Sequence, residues 1–219
     1  MCAAYHAQEY GLSMRVAAFV FLLAACVVLP PAMRKAPSNA LPAANPTLAQ
    51  VVFARPLSFL GATEPVFVLE RRTGRVLGIS LNESAFALEL EPGAYELCPA
   101  PNIEAQMWQS YQGFEVSRFL HTPLTRIEVA AGRRYLVEVI VDRGIYELVP
   151  ARAGSQREMR LKNNFRELQL IEPVEGAAEM QTTPLELAPW FENCSDSTAV
   201  ERYQLRPDDG ESPNVPVEE

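Results

Sequence analysis

Two histidines occur in the 219-residue chain, His6 and His121, and only His121 lies in the part expected to fold. A hydrolytic triad sets a histidine beside a nucleophile, commonly on a tight strand-to-helix turn. No serine here sits in a G-x-S-x-G pattern, so His121 reads as a solvated loop residue rather than a general base. A zinc or calcium site needs clustered Cys and His or a carboxylate loop, and the sequence writes neither. No metal or cofactor is therefore expected. Glu89 and Glu91 share one face of a strand, but strict alternation over residues 85–91 makes that face the wet one. The aromatics Trp108, Tyr111 and Phe114 are spaced by three, so a helical turn would stack them on one side, with Met107 and Phe119 nearby. Such a patch binds glycan rings or a protein partner when exposed, or docks an inserted segment on its own sheet when packed.

Composition bounds the classes open to the chain. The formal charge of -8 and pI near 5 argue against a nucleic-acid partner, because neutralising phosphates needs clustered Lys and Arg. Ten of the eighteen prolines crowd residues 30–46 and 184–216, which marks a linker and a tail. With 48% hydrophobic residues, one domain with its own core is expected.

Residues 16–29 contain no charge and follow Met14 and Arg15, the layout of a secretory signal. A helix of these residues would be about 21 Å long at ~1.5 Å per residue, short of the roughly 30 Å hydrocarbon core of a bilayer. If translation starts at Met14, residues 1–13 are not part of the protein. The run ends in Leu23, Ala24, Ala25, Cys26, and this L-A-A-C resembles the lipobox of bacterial lipoproteins. Small side chains at Ala24 and Ala25 let a peptidase approach the backbone, and the Cys26 thiol supplies the atom that is acylated. The resemblance implies a diacylglyceryl group on Cys26 sulfur, cleavage before Cys26 and a membrane partner reached through palmitate-type chains. Each buried acyl CH₂ contributes about 0.8 kcal/mol, so two or three chains hold a protein on a bilayer where one does not. The competing reading keeps Cys26 as an apolar residue of a signal anchor. By resemblance to the sorting pattern of enteric lipoproteins, Val27 rather than Asp after the cysteine implies the outer membrane, facing the periplasm, over the inner membrane.

Stepping along the chain, residues 26–46 read as a lipidated cysteine and tether, with order from Thr47. Residues 47–175 read as an antiparallel β-sandwich of seven to eight strands, carrying an insertion at 99–122. Residues 176–219 read as a largely irregular extension with an acidic tail. The expected strands are 51–54, 66–70, 75–79, 85–91, 94–98, 124–129, 135–141 and 145–149. The run 135–141 is apolar on both faces except at Glu138, which predicts a central strand covered on both sides. Phe165, Leu168 and Ile171 have helical spacing and predict a short helix over 164–171.

The order of these strands and turns resembles small bacterial lipoproteins of unknown function that carry a single β-sandwich. The matching marks are Arg55 and Pro56, Gly74 to Gly78 in G-R-V-L-G, Pro92 to Tyr95 in P-G-A-Y, and Ala131 to Tyr135 in A-G-R-R-Y. They cover residues 49–150. The insertion and the C-terminal extension depart from that pattern. The resemblance implies an envelope protein with an interaction or structural role and no catalytic residues; a glycan- or peptidoglycan-binding module using Trp108, Tyr111 and Phe114 is the alternative.

With Cys2 before the processed end and Cys26 lipidated, Cys98 and Cys194 remain as a pair in an oxidising compartment. A disulfide is expected, against two free thiols in a host that does not oxidise them. It would close a loop of nearly a hundred residues and hold down a C-terminal extension docked by Trp190 and Phe191.

Overall fold

The computed structural model describes residues 33–58, 65–101, 122–142, 145–173, 194–195 and 201–212. The strands in chain order are β1 (Met33–Lys35), β2 (Ala49–Arg55), β3 (Val66–Glu70), β4 (Arg75–Ser80), β5 (Ser84–Leu90), β6 (Gly93–Pro101) and β7 (Thr122–Pro123). They continue as β8 (Thr125–Val129), β9 (Arg134–Asp142), β10 (Ile145–Ala151), β11 (Gln169–Pro173), β12 (Cys194–Ser195) and β13 (Gln204–Leu205). Helix α1 (Gln156–Asn164) separates β10 from β11. A six-stranded sheet has the order β1-β11-β5-β2-β9-β10, and a five-stranded sheet has the order β13-β8-β6-β3-β4. The protein is mostly β, as expected.

Side-chain alternation explains why the middle of the larger sheet is buried throughout. On β2, Val51 and Phe53 point into a core shared with Val68, Ile79, Leu97 and Ile127 of the smaller sheet. Val52 and Ala54 point the other way, into a second cluster with Leu161 of α1 and Leu136 of β9. β9 repeats the pattern with Tyr135, Val137, Val139 and Val141 facing the first core. It is an interior strand covered on both faces, as its apolar run predicts, but lies next to the edge strand β10 rather than at the centre of the sheet. Full burial of each such side chain contributes about 1.5–3 kcal/mol. Phe53 and Phe86 stack between the sheets with ring centroids 4.9 Å apart. Phe86 also explains Gly78 on β4, where a Cβ would stand 2.4 Å from the Phe86 ring. The sheets meet there without room for a side chain.

The β3–β4 hairpin turns at Gly74, whose φ of 69° is the left-handed conformation that glycine adopts without strain. Glu70 closes the turn, accepting hydrogen bonds from Thr73 N at 2.7 Å, Thr73 Oγ1 at 2.6 Å and Arg72 N at 3.2 Å. Burial pushes its pKa up, but these bonds to the ionised form outweigh it and hold Glu70 below the ordinary carboxylate range.

Several expectations are corrected. The fold is not purely antiparallel: β2 pairs with β9 in parallel, and so do β11 with β5, β12 with β7 and β13 with β8. Thirteen strands are present among the described residues where seven to eight were expected, because several edge strands are only two or three residues long. Order begins before Thr47: β1 lies in the supposed tether and pairs with β11, with Met33 only 4% exposed. The helix is Gln156–Asn164 rather than 164–171. Ser155 Oγ accepts from Glu158 N and sets its start, while residues from Gln169 onward pair with β5 and β1 as a strand. β6 extends to Pro101 and β7 begins at Thr122, so the insertion between them is shorter than 99–122.

The C-terminal extension is ordered in its described part. A 3-10 turn at Glu201–Tyr203 leads into β13, and a second at Pro207–Asp209 leads to Glu211, which exchanges two 2.9 Å backbone hydrogen bonds with Arg134. The Tyr135 hydroxyl, on the larger sheet, donates to Pro207 O at 2.9 Å and accepts from Ala130 N at 2.8 Å. Residues 201–212 thus form a strap joining the β8 edge of one sheet to the β9 start of the other.

Candidate functional site

The disulfide is where the chain's long excursions meet the fold. Cys98 lies in the second half of β6 and Cys194 opens β12; they are bonded, with Cα atoms 6.1 Å apart and 96 residues of separation. Both are almost fully buried, at 1% and 2% exposure, among Leu69, Ala100 and Leu124. The expected pairing is present. Cys194 is in register with Thr122, and β12 runs parallel to β7. The chain therefore enters β7 and β12 side by side, and it leaves β6 at Pro101 opposite Val66 of β3. The insertion and the stretch before Cys194 are thus rooted at one braced place, a geometry in which a rigid scaffold presents variable segments.

The aromatics proposed for binding, Trp108, Tyr111 and Phe114, lie outside the described residues, as do His121, Trp190, Phe191 and the lipidation candidate Cys26. Glu89 is exposed and pairs in register with Gln50, and Glu91 is exposed beyond the strand end. Their placement is that of a solvated sheet face.

Sequence reasoning missed the densest polar constellation, on the outer face of β9 and β10. Glu138, 6% exposed, projects toward α1 and receives Arg160 Nη2 at 2.7 and 2.8 Å on its two oxygens, together with the Arg157 guanidinium. Glu158 accepts from Gly154 N at 2.6 Å and pairs with Lys162 Nζ at 3.0 Å, which also reaches Glu211 at 2.5 Å. Burial pulls the Lys162 ammonium down, but its bonds to Glu211 and Glu158 outweigh this and raise it. On the neighbouring strand Glu147 takes the Tyr203 hydroxyl at 2.5 Å and Arg202 at 2.5 Å. Burial, followed by the hydrogen bond and charge of Glu147, pushes the Tyr203 phenol up to about 12. It therefore stays a protonated donor at neutral pH. Each of these acids already holds a cation or a donor, so the network fastens α1 and the strap to the sheet. The S-x-x-E pattern from Ser155 to Glu158, in which Ser155 caps Glu158 N while the Glu158 carboxylate accepts from Gly154 N, and the lone Glu138 in an apolar strand are its visible signals in sequence.

Among the described residues there is no cluster of three or more His, Cys, Asp or Glu able to hold a metal ion. None of their helices is long and apolar enough to cross a membrane. A shallow groove of about 330 Å³ lies between β6 and β13, with Arg72, Arg126 and Arg206 interleaved with Glu96 and Glu128. Its mixed charges select no single ligand class. No protein-family model, curated protein or solved structure matches the chain.

Proposed function

We propose that this chain is a lipid-anchored protein of the bacterial envelope, held on the membrane through Cys26, whose two packed sheets form a β-sandwich with a non-enzymatic interaction or structural role. The observation that carries the reading is the buried Cys98–Cys194 bond. Disulfides persist in oxidising compartments and are rare in the cytosol, so the bond supports export of the chain. Export is what the uncharged run ending in L-A-A-C at Cys26 encodes. The test is Cys26→Ser in a host that processes lipoproteins. The substituted chain accumulates as unprocessed precursor and incorporates no labelled palmitate, because a hydroxyl does not replace the thiol. Palmitate incorporation that survives the substitution removes the proposal.

A second reading gives the insertion a ligand: Trp108, Tyr111 and Phe114 bind glycan rings of the cell wall. The convergence of β6, β7 and β12 at the disulfide favours it, since it fixes the root of the insertion. On purified peptidoglycan the intact protein is retained, and Trp108→Ala with Tyr111→Ala reduces retention at least about tenfold, the effect of losing ~1.4 kcal/mol of stacking. Equal retention of both proteins leaves the structural role alone.

A further inference from the structure

We infer that the β1–β11 edge of the six-stranded sheet is the surface turned toward the lipid bilayer, and that the disulfide-bearing end of β6 is turned away from it. This rests on the lipid-anchor reading and adds an orientation to it.

The argument begins with the length of chain between anchor and fold. Six residues, 27–32, separate Cys26 from Met33. Seven Cα–Cα steps of at most ~3.6 Å place Met33 within about 25 Å of the anchored residue. Had order begun at Thr47, the same reasoning would allow about 75 Å. A folded unit of this size has a radius of gyration of about 16 Å, hence a diameter of roughly 40 Å. The tether is therefore shorter than the body it holds. A body on such a tether cannot turn freely, and the side where the chain enters stays near the headgroups.

Strand register says which side that is. Met33 pairs with Pro173 at one end of β11, while Gln169 at the other end pairs with Ser84 of β5. The chain therefore enters at the end of the sheet where β5 finishes at Leu90, not where it starts. From Leu90 the chain passes through Glu91 and Pro92 into Gly93, the first residue of β6. β6 then runs away from that end, and at ~3.3 Å per residue its far end lies about 27 Å off. Cys98 and the departure of the insertion at Pro101 belong to that far half. To bring it to the membrane, the tether would have to fold back along the sheet for its whole length. Lys35, exposed beside the entry point, adds electrostatic attraction to anionic headgroups. Arg34 next to it is tied to Glu172 at 2.7 Å.

The acylated full chain, with Trp108→Phe and Trp190→Phe, is placed in phosphatidylethanolamine and phosphatidylglycerol vesicles containing a dansyl-labelled headgroup lipid. A single tryptophan is introduced by K35W at the entry edge, or by I145W. Ile145, 53% exposed, starts the opposite edge strand β10 at the other end of the sheet. Energy transfer to dansyl is expected to be several-fold stronger from K35W than from I145W. Equal transfer, or stronger transfer from I145W, overturns the orientation while leaving the anchor intact. A chain that carries no acyl mass and does not float with vesicles overturns the anchor and the orientation together. Deuterium uptake of the unsubstituted protein gives the same answer without reliance on the variants: vesicles slow exchange over residues 33–42, and slowing confined to β10 refutes the proposal.

Discussion

Replacing Cys98 and Cys194 by alanine, or reducing the bond between them, is expected to lower the stability of the fold by about 2–5 kcal/mol. The bond closes a loop spanning 96 residues, for which the chain-entropy model gives about 4–5 kcal/mol. Among the described residues β12 is two residues long and its strand pairing is limited to Cys194 with Thr122 and Ser195 with Pro123. The strap beyond it behaves differently. Tyr203 is bonded to Glu147, β13 pairs with β8, Tyr135 holds Pro207, and Glu211 bridges to Arg134. Reduction should therefore expose the chain to protease around Cys194 while residues 201–212 stay protected. This narrows the expectation that the whole extension depends on the bond. The double alanine variant is compared with the oxidised protein by urea midpoint, and cleavage sites are mapped with and without reductant. An unchanged midpoint, or two titratable thiols in the unreduced native protein, would contradict the assignment.

The sequence made the local strands legible and left their long-range partners hidden. The alternation of Phe86, Leu88 and Leu90 against Ala87 and Glu89 marks β5, and Gly74 marks the β3–β4 turn, because period and turn chemistry are local properties. The parallel pairing of β2 with β9 joins residues more than 80 positions apart, such as Val51 and Tyr135, and no local pattern encodes it. β1 carries no local signal because three residues cannot display a period, and Met33 is buried through its pairing with β11 and its place in the shared core. The helix lies elsewhere for a different reason. The three-residue spacing of Phe165, Leu168 and Ile171 fits a helix on paper, yet Ser155 and Glu158 form the stronger start signal ten residues earlier.

Chemistry was legible in the same uneven way. Elimination among four cysteines isolated the Cys98–Cys194 pair, since pairing depends on count and compartment as well as on tertiary contact. The ion pairs that fasten α1 and the strap depend on which charged residue faces which, and only the fold supplies that. Tyr135 illustrates the difference: its apolar ring places it in the core by pattern, while its hydroxyl finds Pro207 of the strap 72 residues later.

Glu138 gives the second large effect. Its carboxylate sits mid-strand in β9 with its side chain 8% exposed, and the cations that compensate it, Arg157 and Arg160, are 30% and 56% exposed. The two arginines are three residues apart on α1 and so project from one side of the helix over the sheet. Replacing both with methionine keeps the apolar cover over Glu138 and removes every cationic donor shown to reach it. A buried charge stripped of its partners costs about 3–5 kcal/mol, so Arg157→Met with Arg160→Met is expected to destabilise the fold by that amount at neutral pH. Adding Glu138→Gln to the double variant should recover most of the loss at pH 7, because the amide is neutral. Urea midpoints of the three proteins measure the effect. A double variant within about 0.5 kcal/mol of the parent, the range of ordinary surface substitutions, would mean that solvent rather than α1 compensates Glu138. Failure of Glu138→Gln to restore stability would instead place the loss in the packing of α1 against Leu136 and Ala151.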